Sequence, residues 1–215
     1  MLFGRKAPPT RSELVVAADR ARSKGKLKRA IQGYRKALEL EPKDPTLLGK
    51  LAPLLARTNE TDAALKSFRD AAQLHLDKGF SDKALAVYTQ AAETFPYQVA
   101  LWQQVSKMHL DKGRRADAIR VLLRGRFALR RKQERPEAII LLKEAMGLEP
   151  SLFEPRLDLA RLLARQKQPT EALALLEPMQ QLTGGQLRQV RWAWLCIAPG
   201  PGTAWRWLRA AFTGR

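Results

Sequence analysis

Residues 24–42 read KGKLKRAIQGYRKALELEP, residues 78–96 read KGFSDKALAVYTQAAETFP, and residues 132–150 read KQERPEAIILLKEAMGLEP. The three stretches lie 54 residues apart. Gly25, Ala30, Tyr34, Ala37 and Pro42 of the first return as Gly79, Ala84, Tyr88, Ala91 and Pro96, and then as Gln133, Ala138, Leu142, Ala145 and Pro150. Steps of four and three put Ala, a large residue and Ala on one helical face. The small residues let a neighbouring helix come close, and the large one fills the gap between them. A proline after the last apolar residue stops the helix.

Working outward, the same opening recurs at Ala64, Phe68 and Ala71 and at Ala118, Leu122 and Gly125. A poorer copy runs Ala172, Leu176 and Met179. This pattern resembles the second helix of the tetratricopeptide (TPR) repeat, a helix-turn-helix unit of about 34 residues. Residues 11–44 fit a whole unit, with Leu14, Ala17, Ala18 and Ala21 on its first helix. The first helix lacks the Trp, Gly and Tyr of the family. The resemblance covers residues 11–182 and implies an all-α, TPR-like α-solenoid of antiparallel helix hairpins. Two full units need about 68 residues, so a 54-residue interval drops roughly four helical turns. One helix per pair is therefore expected to be shared. Residues 61–78 and 115–132 would each be second helix to one neighbour and first helix to the next.

Ten helices are expected, near 12–23, 26–40, 46–57, 61–78, 81–95, 98–112, 115–132, 135–147, 153–166 and 169–182. The short connections between them force antiparallel neighbours. Pro53 should bend the third helix, because it removes an amide donor. The expected domain plan is a disordered basic stretch at 1–10, a helical array of about five repeats at 11–182, and a Trp/Arg-rich segment at 185–215. That last segment reads as C-terminal capping helices or as a docking element. Gly184-Gly185 and the PGPG at 199–202 are the breaks.

Lys plus Arg is 39 against 21 for Asp plus Glu, a net charge of +18. Such a balance bears on partners and solubility rather than on fold. The excess is uneven. Residues 1–44 hold twelve basic and five acidic side chains, 45–98 six and six, and 99–152 twelve and six. Residues 153–184 balance at four and four, and 185–215 hold five Arg and no acid. On the helix expected at 115–132, Arg120, Arg124 and Arg131 form one stripe and Arg126 and Arg130 a second. A single cysteine, Cys196, excludes an internal disulfide and gives no sign of an oxidising compartment. No secretory signal and no span of about 18 uncharged apolar residues is read. The expected location is cytoplasmic, with peripheral contact at the inner face of a membrane as a variant.

No Gly-rich phosphate loop, HExxH or nucleophile with partners is found. The expectation is no enzyme, no cofactor, no metal and no small-molecule substrate. His75 and His109 are the only histidines. Aligned to the repeat, both occupy a slot where the family carries a packing aromatic, so both read as core residues. The resemblance also implies that first helices line a groove for a partner segment. By alignment those positions are Lys50, Arg57, Arg69, Gln73, Gln103, Gln104, Lys107, Arg120, Arg124, Phe127, Arg131, Arg161 and Arg165. The set is basic and amide-rich, which suits an acidic or extended segment. The single Asn, Asn59, sits at a turn, so the carboxylate clamp of chaperone-binding relatives is not expected.

Four of the five Trp lie in the C-terminal segment. Leu187, Val190, Trp194 and Ile197 form one apolar stripe. Trp205, Leu208 and Phe212 form a second, beside Arg206, Trp207 and Arg209. These residues either cap the array or contact a partner or an anionic membrane surface. The leading functional reading is therefore a non-catalytic protein-interaction scaffold or adaptor with an acidic protein partner. Polyanion contact, with an anionic membrane through the Trp/Arg tail or with nucleic acid, is the alternative.

Overall fold

The computed structural model describes residues 8–213, with the side chains of 212 and 213 excepted. The sequence expectations for residues 1–7 and for the Phe212 side chain lie outside the described residues. Those residues form twelve α-helices and no strand. The chain divides into two compact units, residues up to Phe95 and residues from Pro96.

The first unit holds α1 (Arg11–Ser23), α2 (Leu27–Leu40), α3 (Pro45–Arg57), α4 (Thr61–Asp77) and α5 (Ser81–Thr94). The helix α1 starts at a capping box, with the Thr10 hydroxyl accepting from the Glu13 amide and the Glu13 carboxylate from the Thr10 amide. Asp44 caps α3 by accepting from the amides of Thr46 and Leu47. Arg11 pairs with Glu41 and Asp44 and ties α1 to the connection before α3. The repeat face is the buried face: Ala30, Tyr34 and Ala37 on α2, and Ala64, Phe68 and Ala71 on α4, are all buried. Gly33 sets the approach of α2 to α1, since a Cβ there would stand 2.8 Å from that of Ala18. Phe68 meets Phe95 edge to face, with ring centres 6.4 Å apart. Pro53 does not interrupt α3, which is continuous through it.

The second unit holds α6 (Val99–Asp111), α7 (Arg115–Ala128), α8 (Arg135–Leu148), α9 (Phe153–Arg165), α10 (Pro169–Leu176), α11 (Gly184–Ile197) and α12 (Pro201–Thr213). Ala118, Leu122 and Gly125 on α7, and Ala138, Leu142 and Ala145 on α8, are buried. The helix α4 packs on both α3 and α5, and α7 on both α6 and α8. Gly125 makes the α7 contacts possible. A Cβ there would stand 2.7 and 2.8 Å from the Trp102 ring and 2.9 Å from Leu141.

Helix ends fall into two chemical classes. The helices α1, α3, α4, α6 and α9 each close with a left-handed residue: Gly25, Asn59, Gly79, Gly113 and Lys167. At each, the next amide reaches back five residues, as from Phe80 to the His75 carbonyl, which is the Schellman closure. The helices α2, α5 and α8 instead end without a left-handed residue and meet Pro42, Pro96 or Pro150.

Most helix spans agree with the sequence reading within about a residue or two, but two do not. The helix α7 stops at Ala128, four residues before 132, and a 3-10 turn follows at Lys132–Glu134. Gln133 stands where the left-handed Gly25 and Gly79 stand in the other copies, and it lies in the 3-10 turn. Arg126 donates to the Leu129 carbonyl instead, at 3.0 Å. The helix α10 ends at Leu176 and passes into a 3-10 turn, Glu177–Gln181, because Pro178 offers no amide to continue the ladder.

Candidate functional site

The surface of the second unit carries a groove of about 300 Å³ between α7 and α9. Its apolar lining comes from Leu123, Phe127, Leu142 and Pro155. Phe127 is 64% exposed, a large apolar ring left in water at the last turn of α7. It is exposed because Leu122 and Gly125 hold the buried side of the same helix. Arg126 spans the groove wall to Asp158 with two bonds, Nε to Oδ2 at 2.7 Å and Nη2 to Oδ1 at 2.9 Å. This fork is largely buried, with the Arg126 side chain 14% exposed.

Arg161 lines this groove and also a second hollow of about 380 Å³ formed with Arg165, Trp192 and Cys196. Trp192, on α11, is 48% exposed and meets Trp207 of α12 at a tilt of 53°, with ring centres 5.2 Å apart. The two hollows share Arg161 as a lining residue, with Phe127 in the first and Trp192 in the second. Asp158 is neutralised by Arg126, which leaves Glu154 as the other carboxylate lining the first groove, while Arg161 and Arg165 line the second hollow. Among the described residues no carboxylate pairs with Arg161 or Arg165.

Of the positions expected to line a groove, Phe127, Arg161 and Arg165 come together here. Arg124 is exposed one turn before Phe127 on the same helix. Others are engaged locally. Arg120 pairs with Asp117 and Arg131 with Glu134, so the expected arginine stripes are partly neutralised. Gln103 on α6 donates to Glu144 on α8 at 2.9 Å. Gln104 is half-buried and Lys107 exposed on α6.

In the first unit, Lys50 lies 3.0 Å from Asp19, which also accepts from the Tyr34 hydroxyl. Burial would raise the Asp19 pKa, but these donors outweigh it and hold the carboxyl below its usual value. Burial and the Asp19 hydrogen bond push Tyr34 up. Arg57 and Arg69 are exposed, and Gln73 donates to Asp77 at 2.8 Å. Both histidines sit as packing residues: His75 is 9% exposed, and Nδ1 of each is buried without a hydrogen-bond partner. Burial, then Lys83 and Lys78, lower the His75 pKa.

In the tail, α12 folds back on α11, and Arg191 donates to the Arg206 carbonyl at 3.0 Å. Trp207 is half-buried against Trp192, while Trp205, Arg206, Leu208 and Arg209 are exposed. Trp192 and the Arg126–Asp158 fork were not singled out from sequence. Trp192 was findable, because it falls off the Leu187, Val190, Trp194 and Ile197 stripe, and a large ring off the buried stripe faces solvent. The fork was not, since 32 residues separate its partners.

Among the described residues no group of three His, Cys, Asp or Glu could hold a metal ion. No helix among them is long and apolar enough to cross a membrane.

Three solved structures illustrate the likeness to known proteins. The crystal structure of MamA protein has 13% identity and a TM-score of 0.36, over 80% of this chain and 90% of that one. A tetratricopeptide repeat protein from Parabacteroides merdae ATCC 43184 has 18% identity and a TM-score of 0.34, over 95% and 93%. YrrB, described as a TPR protein with an unusual peptide-binding site, has 15% identity and a TM-score of 0.34, over 90% and 89%. No curated protein matches the sequence. The family model described as the bacterial transcriptional activator domain matches residues 11–146. With its TPR-like helix hairpins, the chain belongs to the bacterial transcriptional activator domain family.

Proposed function

We propose that the protein is a non-catalytic interaction module that holds an acidic protein segment against α7, α9 and α11. The observation that carries this reading is an exposed Phe127 in one groove with Arg161, which also lines the neighbouring hollow beside Arg165. A desolvated aromatic anchor beside charge-assisted donors suits a segment with one apolar side chain flanked by Asp or Glu. The α11–α12 hairpin serves as the end cap, with Leu187, Val190, Ala193 and Ala210 turned inward. The family description refers to transcriptional activation in bacteria, and a cytoplasmic adaptor of this kind would recruit a partner rather than transform a substrate.

The test is retention of immobilised peptides rich in Asp and Glu, each with a single Leu or Phe, followed by titration of the retained ones. Phe127→Ala should weaken them by about 2 kcal/mol, some thirtyfold, as loss of a central anchor does. Arg161→Glu should weaken them further at low salt. Equal retention by wild type and both variants would remove the site.

A further inference from the structure

A separate cleft of about 230 Å³ opens in the first unit, where the last turn of α1 meets the first turn of α2. It is lined by Ala17, Arg20, Ala21, Lys24, Lys26 and Arg29, four cations and no acid. Gly25, at φ +68, makes the turn tight and brings the two helix ends together. Arg20 and Lys24 stand one helical turn apart at the end of α1, and Lys26 and Arg29 stand about one turn apart at the start of α2. All four are exposed. Among the described residues none of them has an ion-pair partner, while Arg22 between them pairs with Asp19 at 3.6 Å.

Local stability explains only half of this cluster. Arg20 and Lys24 lie at a helix C-terminus, where cations are favoured. Lys26 and Arg29 lie at the positive end of α2, which has no acidic residue in its first turn and no side-chain cap. Like charges one turn apart also repel. An anion in the cleft would reverse both costs.

We propose that this cleft seats phosphates of a nucleic-acid backbone. No large apolar side chain lines it, so neither an acyl chain nor an apolar peptide anchor has a place there. No aromatic ring lines it either, so contact would be with the backbone rather than with bases.

The experiment is fluorescence anisotropy with a labelled DNA duplex across a salt series. Two charge-matched variants are compared: Lys26→Gln/Arg29→Gln, and Lys36→Gln/Lys66→Gln, which removes two exposed cations elsewhere in the same unit. The first should make the slope of log affinity against log salt shallower by about 1.8, since each lost phosphate contact is worth about 0.9. The second should leave the slope unchanged. Absence of duplex binding, or an equal loss in both variants, would overturn the site. So would displacement of the duplex by polyglutamate at equal charge concentration, or binding to phosphatidylserine vesicles that the first variant abolishes. Phe127→Ala should not alter duplex binding, so this site and the peptide groove succeed or fail separately.

Discussion

Replacing Gly125 by Ala should destabilise the second unit, although the same change usually strengthens a helix. Ala is favoured over Gly in a helix interior by about 1 kcal/mol. At Gly125 the new methyl would lie 2.7 and 2.8 Å from two Trp102 ring atoms and 2.9 Å from Leu141 Cδ1. Ordinary carbon contacts begin near about 3.5 Å, so neighbours must move by several tenths of an ångström. Trp102 resists, because it is buried and its Nε1 donates to the Pro96 carbonyl at 3.0 Å. Overpacking of this kind costs about 1–3 kcal/mol. Gly147 supplies the control. It lies near the end of α8 in the same unit, and a Cβ there would meet nothing within 4 Å. Gly147→Ala should therefore gain up to about 1 kcal/mol. Because both variants share much of the propensity gain, their difference isolates the clash at roughly 1–3 kcal/mol. Urea denaturation followed by circular dichroism and tryptophan fluorescence reads it as a separation of midpoints. A Gly125→Ala protein as stable as Gly147→Ala would refute the close packing of α7 against Trp102.

Four further outcomes follow from the same geometry. Gly33→Ala should destabilise the first unit, and adding Ala18→Gly should recover part of the loss, since the Ala18 Cβ at 2.8 Å goes while its Cα at 3.3 Å stays; paired thermal melts decide it. Lys167→Gly should stabilise by about 0.5–1 kcal/mol, because Lys167 holds φ +62 and the left-handed cost exceeds the added entropy of Gly. His75 has a lowered folded pKa, so its contribution is complete above the unfolded value near about 6.5 and is lost as pH falls through the folded value. His75→Phe should flatten that part of the stability profile, measured by chemical denaturation from pH 7 downward. Arg126→Ala should cost about 1–3 kcal/mol and loosen the end of α7, since Asp158 and the Leu129 carbonyl both lose their donor; faster amide exchange around 126–130 would report it.

The groove on the second unit was legible only in part. Phe127, Arg161 and Arg165 could be placed on first helices by alignment with the repeat, and the fold brings Phe127 to Arg161 in one groove and Arg161 to Arg165 in the next. Gln103 and Lys50 satisfied the same alignment, yet their polar ends are held by Glu144 and Asp19. Alignment assigns a side chain to a face but does not tell which neighbour will neutralise it. Trp192 joined the surface because α11 lies against α9. That contact belongs to the tail, which lies outside the repeat pattern.

What the sequence determined alone was the helical content, the buried face and most helix boundaries. Ala30, Tyr34 and Ala37 and their counterparts specify a close-packed stripe by size and spacing, both of which are local properties. Gly25 and Gly79 fix helix ends because a left-handed residue is a local backbone requirement. Tertiary structure decided the end of α7, where Arg126, held by Asp158 of α9, also donates to the Leu129 carbonyl. It also decided which cations stay unpaired. Arg126 finds Asp158 across 32 residues, while among the described residues Arg161 and Arg165 find no carboxylate. Ion pairing depends on distances between helices, and a pattern read along one helix does not contain them.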